Sequence, residues 1–84
     1  MGMNVVAGEN TDLLIRGTRF HIQTEDWGEK EKALLSRVFK NGAVIKTYKL
    51  AYEKINNVND TSNRRATLLQ FHQLVIENVK TTII

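Results

Sequence analysis

The chain has 84 residues, 42% of them hydrophobic and 25% charged, with 12 Lys and Arg against 9 Asp and Glu for a net charge of +3. That length excludes two domains, since a compact unit usually takes about 100 to 200 residues, and the composition excludes the polar, highly charged regime in which chains stay disordered. With no cysteine, thiol catalysis, Cys-based zinc sites and disulfide frameworks are also excluded.

A chain this short buries only about 60 to 65% of its unfolded surface, so a homodimer or a bound partner is expected to supplement the core. The mildly basic balance suits nucleic acid, an acidic protein surface or no specific partner. Apolar runs such as Leu13 to Ile15 are too short to span a bilayer, and Met1 to Asn4 offers no basic segment ahead of an apolar one. No membrane association is expected, and the location expected is cytoplasmic.

Met1 to Thr11 has no sustained period and reads as a loose N-terminal arm, with one domain from 12 to 84. From Leu13 to Thr24 apolar and polar residues alternate around Arg16-Gly17-Thr18, the pattern of a β-hairpin with a tight turn. Glu25 to Lys32 is charged around Trp27 and Gly28 and reads as a solvated loop. Ala33 to Lys40 fits two descriptions. Leu34, Leu35, Val38 and Phe39 have amphipathic helical spacing, with Asn41-Gly42 as the C-cap, but Asn41-Gly42 also fits a type I′ turn between two strands.

As a hairpin, a two-residue turn sets Phe39 opposite Val44, Val38 opposite Ile45, Arg37 opposite Lys46 and Leu35 opposite Tyr48. The facing cations then suggest an anionic neighbour or, as the plainer reading, solvent-splayed ends. One helical turn is expected within Ala51 to Val58. A long helix follows, N-capped by Asp60, Thr61 or Ser62, with Leu68, Leu69, Phe71, Val75, Ile76 and Val79 as a broad apolar face. Arg64 and Arg65 fall in its first turn, where the helix dipole disfavours cations, and read as solvated in preference to facing an acidic partner.

Catalytic and metal chemistry find little support. His21 and His72 lack a second imidazole or thiol at ligand spacing, so no metal site and no cofactor is expected. His72 lies on the apolar helix face as a structural histidine, whereas His21 alternates with Phe20 and Ile22 and belongs on the polar side of its strand. Glu25 and Asp26 are adjacent on an extended chain and therefore point apart. Trp27 is either the plug of a small core or an exposed interface anchor. Phosphate loops, nucleophile elbows and dinucleotide fingerprints are absent from the sequence.

The run Gly17 to Gly28 resembles the G-x-x-[YF]-H-[VI]-Q-T-E-D-x-G signature of small, largely uncharacterised bacterial proteins. In that family a strand, a Gly-containing turn, another strand and a tyrosine follow, as Val38 to Ile45 and Tyr52 resemble, and Gln70-Phe71-His72 is similar to a glutamine and histidine of the C-terminal helix. A polarity regulator assisting the GTPase-activating partner of a Ras-like bacterial motility GTPase is similar in the same way. This chain departs from the pattern in having Glu29-Lys30-Glu31-Lys32 in place of Asn-Pro, and Phe71 between the glutamine and the histidine. The resemblance implies a strand for Ala33 to Lys40.

The resulting expectation is an α+β fold of four antiparallel strands at about 12–16, 19–25, 33–40 and 43–50, with a C-terminal helix at about 61–80 on one face. Its uncovered face is the expected functional surface. The first functional expectation is a non-enzymatic protein-interaction or regulatory module using His21, Gln23, Glu25, Asp26 and Trp27. The alternative is a nucleic-acid binder using Arg19, Arg37 and Lys46 with Phe20, Phe39 or Tyr48 for stacking.

Overall fold

A computed structural model describes residues 4–82. Four antiparallel strands, β1 (Glu9–Ile15), β2 (Thr18–Asp26), β3 (Ala33–Lys40) and β4 (Ala43–Ala51), form a meander in the spatial order β1-β2-β3-β4. A one-turn helix α1 (Gly28–Glu31) links β2 to β3, a 3₁₀ turn covers Tyr52–Lys54, and helix α2 (Thr61–Thr82) packs on one face. The expected α+β architecture is therefore present, and the ambiguous segment 33–40 is a strand.

Two of the strand connections follow from backbone chemistry. Ile15 pairs with Thr18 around Arg16 and Gly17, whose φ angles are 50° and 82°. Lys40 pairs with Ala43 around Asn41 and Gly42, at 49° and 87°. Two successive left-handed residues make a type I′ turn, whose twist matches that of the flanking strands.

The register of β3 on β4 departs from the expectation after its first steps. Phe39 does face Val44, but a bulge then leaves Ile45 without a counterpart, so Val38 faces Lys46, Arg37 faces Thr47 and Leu35 faces Lys49. The Arg37–Lys46 like-charge pair does not form. The bulge flips the rest of β4 by one residue, which turns Tyr48 and Leu50 toward the helix, where both pack on the core. An unbulged strand would have turned Thr47 and Lys49 inward instead.

The core is the layer between sheet and helix. Phe20, Ile22 and Val38 meet Val75, Ile76 and Val79 toward the two hairpin turns, and Leu34, Tyr52 and Ile55 meet Leu68 toward the helix N-terminus. Asp60 caps α2, its Oδ1 accepting the amides of Ser62 at 2.9 Å and Asn63 at 3.3 Å. No other element among the described residues lies on the opposite face of the sheet.

Three other expectations change. β1 starts at Glu9, and residues ahead of it are anchored: the Val6 amide donates to Asp26, Arg64 to the Asn4 carbonyl, and Arg65 to the Ala7 carbonyl. Close packing explains Gly8, because a Cβ there would lie 2.6 Å from the Thr24 carbonyl oxygen. The expected arm residues Met1 to Met3 lie outside the described residues. The segment 25–32 is not a solvated loop throughout, since Asp26 and Gly28 are buried. Arg64, read as solvated, is 0% exposed.

Candidate functional site: two faces of one strand

Strand β2 carries the resemblance run, and its alternation divides that run between two environments. Phe20, Ile22, Thr24 and Asp26 are buried under α2, while Arg19, His21, Gln23 and Glu25 point to the open side. Half of the motif is thus packing and half is surface.

On the buried side, the apolar residues are interrupted by two polar groups with complete sets of partners. Thr24 Oγ1 lies 2.8 Å from Ser36 Oγ and 2.6 Å from His72 Nδ1, and His72 Nε2 lies 2.7 Å from Thr11 Oγ1. Burial lowers the His72 pKa below its ordinary 6.5, with Glu9 partly opposing, so the ring is neutral at pH 7. His72 is the structural histidine expected from the helix pattern.

Asp26 anchors the second group. Its Oδ1 accepts the Gly28 amide at 3.0 Å and the Tyr52 hydroxyl, and its Oδ2 accepts the Val6 amide at 2.9 Å and Arg64 Nε at 3.0 Å. Burial alone would raise the Asp26 pKa, but the hydrogen bonds from Tyr52, Val6, Gly28 and Arg64 outweigh it and hold the carboxyl below 3.8. Burial and the same carboxylate push the Tyr52 hydroxyl up to about 12. The Arg64 guanidinium lies 5.6 Å from the Tyr52 ring and also donates to the Val58 carbonyl. Both charged side chains are 0% exposed.

This arrangement corrects two readings at once. Asp26 is buried and not on the open face, and the acidic counterpart of Arg64 is inside the same chain. Neither Arg64 nor Tyr52 was singled out as a partner of the motif. Cations at a helix N-terminus are disfavoured by the dipole, so an arginine there hints at a buried acid, but that acid lies 38 residues away.

The open side holds the remaining candidates. His21 Nδ1 donates to Asp12 Oδ1 at 2.8 Å, and its Nε2 lies 3.1 Å from Asn10 Oδ1, because β1 sets Asp12 directly across from His21. Phe39 faces His21 from β3, with ring centroids 5.9 Å apart. Gln23 faces Arg37, which donates from Nη2 to Glu25 Oε1 at 2.7 Å and holds its guanidinium 5.7 Å from the Trp27 ring. Trp27 is 40% exposed, which places it at the rim of the open face rather than in the core.

These contacts form a continuous surface from Trp27 through Arg37 and Gln23 to His21 and Phe39. Four of the five expected interface residues belong to it. Asp12, Asn10 and Arg37 also contribute, and pairing the alternation of β1 with that of β2 would have revealed the first two.

The alternative nucleic-acid set is split by the sheet. Arg19, Arg37 and Phe39 share the open face, but Phe20 is buried, and Lys46 with Tyr48 sits on the helix side, Lys46 Nζ being 5.2 Å from the Tyr48 ring. Tyr48 there donates to Asn78 Oδ1 of α2 at 2.7 Å. The β4 bulge is what separates these residues from Arg37.

Among the described residues no group of three or more His, Asp or Glu is placed to hold a metal ion, and no helix is long and apolar enough to cross a membrane. No protein-family model matches the chain, and no curated protein or solved structure is significantly similar to it.

Proposed function

We propose that this protein is a small, non-enzymatic interaction or regulatory module whose uncovered sheet face binds a protein partner. The carrying observation is the open face itself, a surface of His21, Gln23, Glu25, Arg37 and Phe39, rimmed by Trp27, with no element among the described residues laid on it. Sheets of this kind bury one side and leave the other to solvent or to a partner. Here the open side carries aromatic rings and an arginine, residue types enriched at interface centres, among locally paired charges.

Both nitrogens of His21 are engaged by Asp12 and Asn10, which fixes the ring's orientation on the open face. The resemblance of Gly17 to Gly28 to the bacterial signature, and through it to a polarity regulator acting beside a GTPase-activating protein, supports a regulatory role in the cytoplasm. Nucleic acid is the less favoured partner, because its candidate cations and stacking rings are divided between two faces.

The test is affinity capture from nuclease-treated host lysate with wild type, Trp27→Ala and, as a control on the outer helix face, Leu74→Ser. The reading expects a protein retained by wild type and Leu74→Ser and lost from Trp27→Ala. Identical capture by all three rejects the Trp27 rim as part of the interface.

A further inference from the structure

Two strands form the edges of this sheet, and they are built differently. At β4 the bulge leaves Ile45 without a counterpart, Lys46 points to the helix side, and Lys49, opposite Leu35, points to the open side. A bulge and charged side chains on both faces are devices by which an edge turns other strands away. β1 has neither. Its seven residues pair with β2 in unbroken register, and it bears no lysine, arginine or proline. Toward the turn its side chains are apolar, Leu13 and Ile15 half-buried against the core and Leu14 72% exposed.

The ladder also decides which backbone groups β1 offers. The Ile15–Thr18 pair that closes the type I′ turn exchanges both of its hydrogen bonds, and so does every second pair after it, Leu13–Phe20, Thr11–Ile22 and Glu9–Thr24. The N–H and C=O groups of Asn10, Asp12 and Leu14 therefore point out of the sheet, where no described strand pairs with them. The far end of this edge is closed, because Arg65 of α2 reaches across to the Ala7 and Gly8 carbonyls and to Glu9. A row of alternating backbone donors and acceptors suits one kind of occupant, another extended strand.

From this contrast between the edges, we propose that β1 pairs antiparallel with β1 of a second copy, centred on Leu13, to give a closed dimer with an eight-stranded sheet. In that register Leu13 meets Leu13 and Thr11 meets Ile15 on the helix side, while Leu14 and Asp12 of the two copies exchange backbone bonds. The neighbouring registers are poorer. Centring on Asp12 sets two carboxylates opposite each other, centring on Leu14 draws the left-handed turn residue Arg16 into the ladder, and centring on Thr11 brings Leu14 against Gly8 at the end closed by Arg65.

Charge and shape agree with the pairing. Leu14 faces Arg19 within one copy, so a single cross-strand row reads Arg19, Leu14, then Asp12 and His21 of the second copy. The opposite charges are two strand spacings apart, about 9.6 Å, within reach of an extended arginine. The two-fold axis keeps both helices on one side of the sheet. Arg65 and His72 mark the flank of α2 that overhangs β1, and Leu69, between them on that flank and 37% exposed, faces the junction from each copy. Such a pairing closes at two chains, whereas β1 on β4 of another copy would grow a filament. The open faces of the two copies then lie side by side, but the inference depends on the edge alone and not on what those faces bind.

The experiment is sedimentation equilibrium of the full chain from low to high micromolar concentration, with amide hydrogen exchange at both ends of that range. The mass is expected to rise from one chain toward two, and exchange at Asp12 and Leu14 to slow as it does. Leu14→Glu sets a carboxylate against Asp12 twice across the two-fold axis and is expected to weaken association about tenfold, Leu14→Lys to leave it as strong or stronger, and Thr47→Glu on β4 to change nothing. Leu14 is exposed, so both of its variants should keep the wild-type thermal midpoint at low concentration.

A one-chain mass at every concentration, masses beyond two chains, slowed exchange on β4 instead of β1, equal effects of Leu14→Glu and Leu14→Lys, or lost association with Thr47→Glu would each overturn the inference. A host protein captured by wild type and lost from Trp27→Ala under any of those outcomes would leave the interaction-module reading standing.

Discussion

The two faces of β2 solve opposite problems with alternate residues. Under the helix, Thr24 and Asp26 are polar groups taken out of water, and each is surrounded by partners from distant parts of the chain, Ser36 and His72 for the first, Val6, Gly28, Tyr52 and Arg64 for the second. On the open side, Glu25 and His21 find partners on adjacent strands, Arg37 for the first and Asp12 for the second. The comparison teaches that an unbroken motif need not be one site. Its buried members Phe20, Ile22, Thr24 and Asp26 lie between sheet and helix, and Arg19, His21, Gln23 and Glu25 face the open side.

The largest effect that separates the faces should come from Asp26→Asn. It strands a buried guanidinium, so a loss of about 3 to 5 kcal/mol is expected, a large part of the 5 to 15 kcal/mol typical of a whole domain. Urea denaturation measures it, and adding Arg64→Met should recover part of the loss.

Next in size is Thr24→Val, which keeps the shape but leaves His72 Nδ1 without its hydroxyl partner, at a cost of about 1 to 3 kcal/mol. The pH dependence follows from the same face. The folded His72 and Asp26 pKa values both lie below their unfolded values, so their contributions are complete above 6.5 and 3.8 and are lost as pH falls through the folded values. Tyr52 works the other way: its contribution is present below 10 and is lost as pH rises through about 12. Thermal melts against pH should therefore show an acid limb in two stages, and Asp26→Asn should remove the lower one. The smallest effect belongs to the open face, where Arg37→Ala breaks a half-exposed ion pair with Glu25 and should cost no more than about 1 kcal/mol.

Much of the fold was legible because it is encoded locally. Alternation marked β1 and β2, Arg16-Gly17 and Asn41-Gly42 marked the turns, and the spacing of Leu68, Val75, Ile76 and Val79 marked α2 and its buried side, although Leu69, read on the same face, is exposed. The strand identity of 33–40 required more than local pattern, since a segment with Leu34, Leu35, Val38 and Phe39 satisfies either period. What stayed hidden depends on the assembled layers. The bulge at Ile45 answers to whether Tyr48 and Leu50 can reach the helix, which no property of the turn decides. The Asp26–Arg64 pair joins residues 38 apart in sequence, and only the helix docking brings them together. For the site, alternation was enough to send His21, Gln23 and Glu25 outward. The same alternation sends Asp26 inward, a consequence obscured by reading Glu25 to Lys32 as a single loop.

Gln23 and Thr24 are neighbours in sequence on opposite faces of one strand, and they offer the most direct test of this division. Gln23→Arg and Thr24→Val would each be measured twice, for urea midpoint and for partner capture from nuclease-treated lysate below the melting temperature. The account predicts that Gln23→Arg keeps the midpoint and loses the partner, whereas Thr24→Val lowers the midpoint and keeps it. Retained capture with Gln23→Arg, or lost capture with a folded Thr24→Val, would contradict the assignment of recognition to the open face.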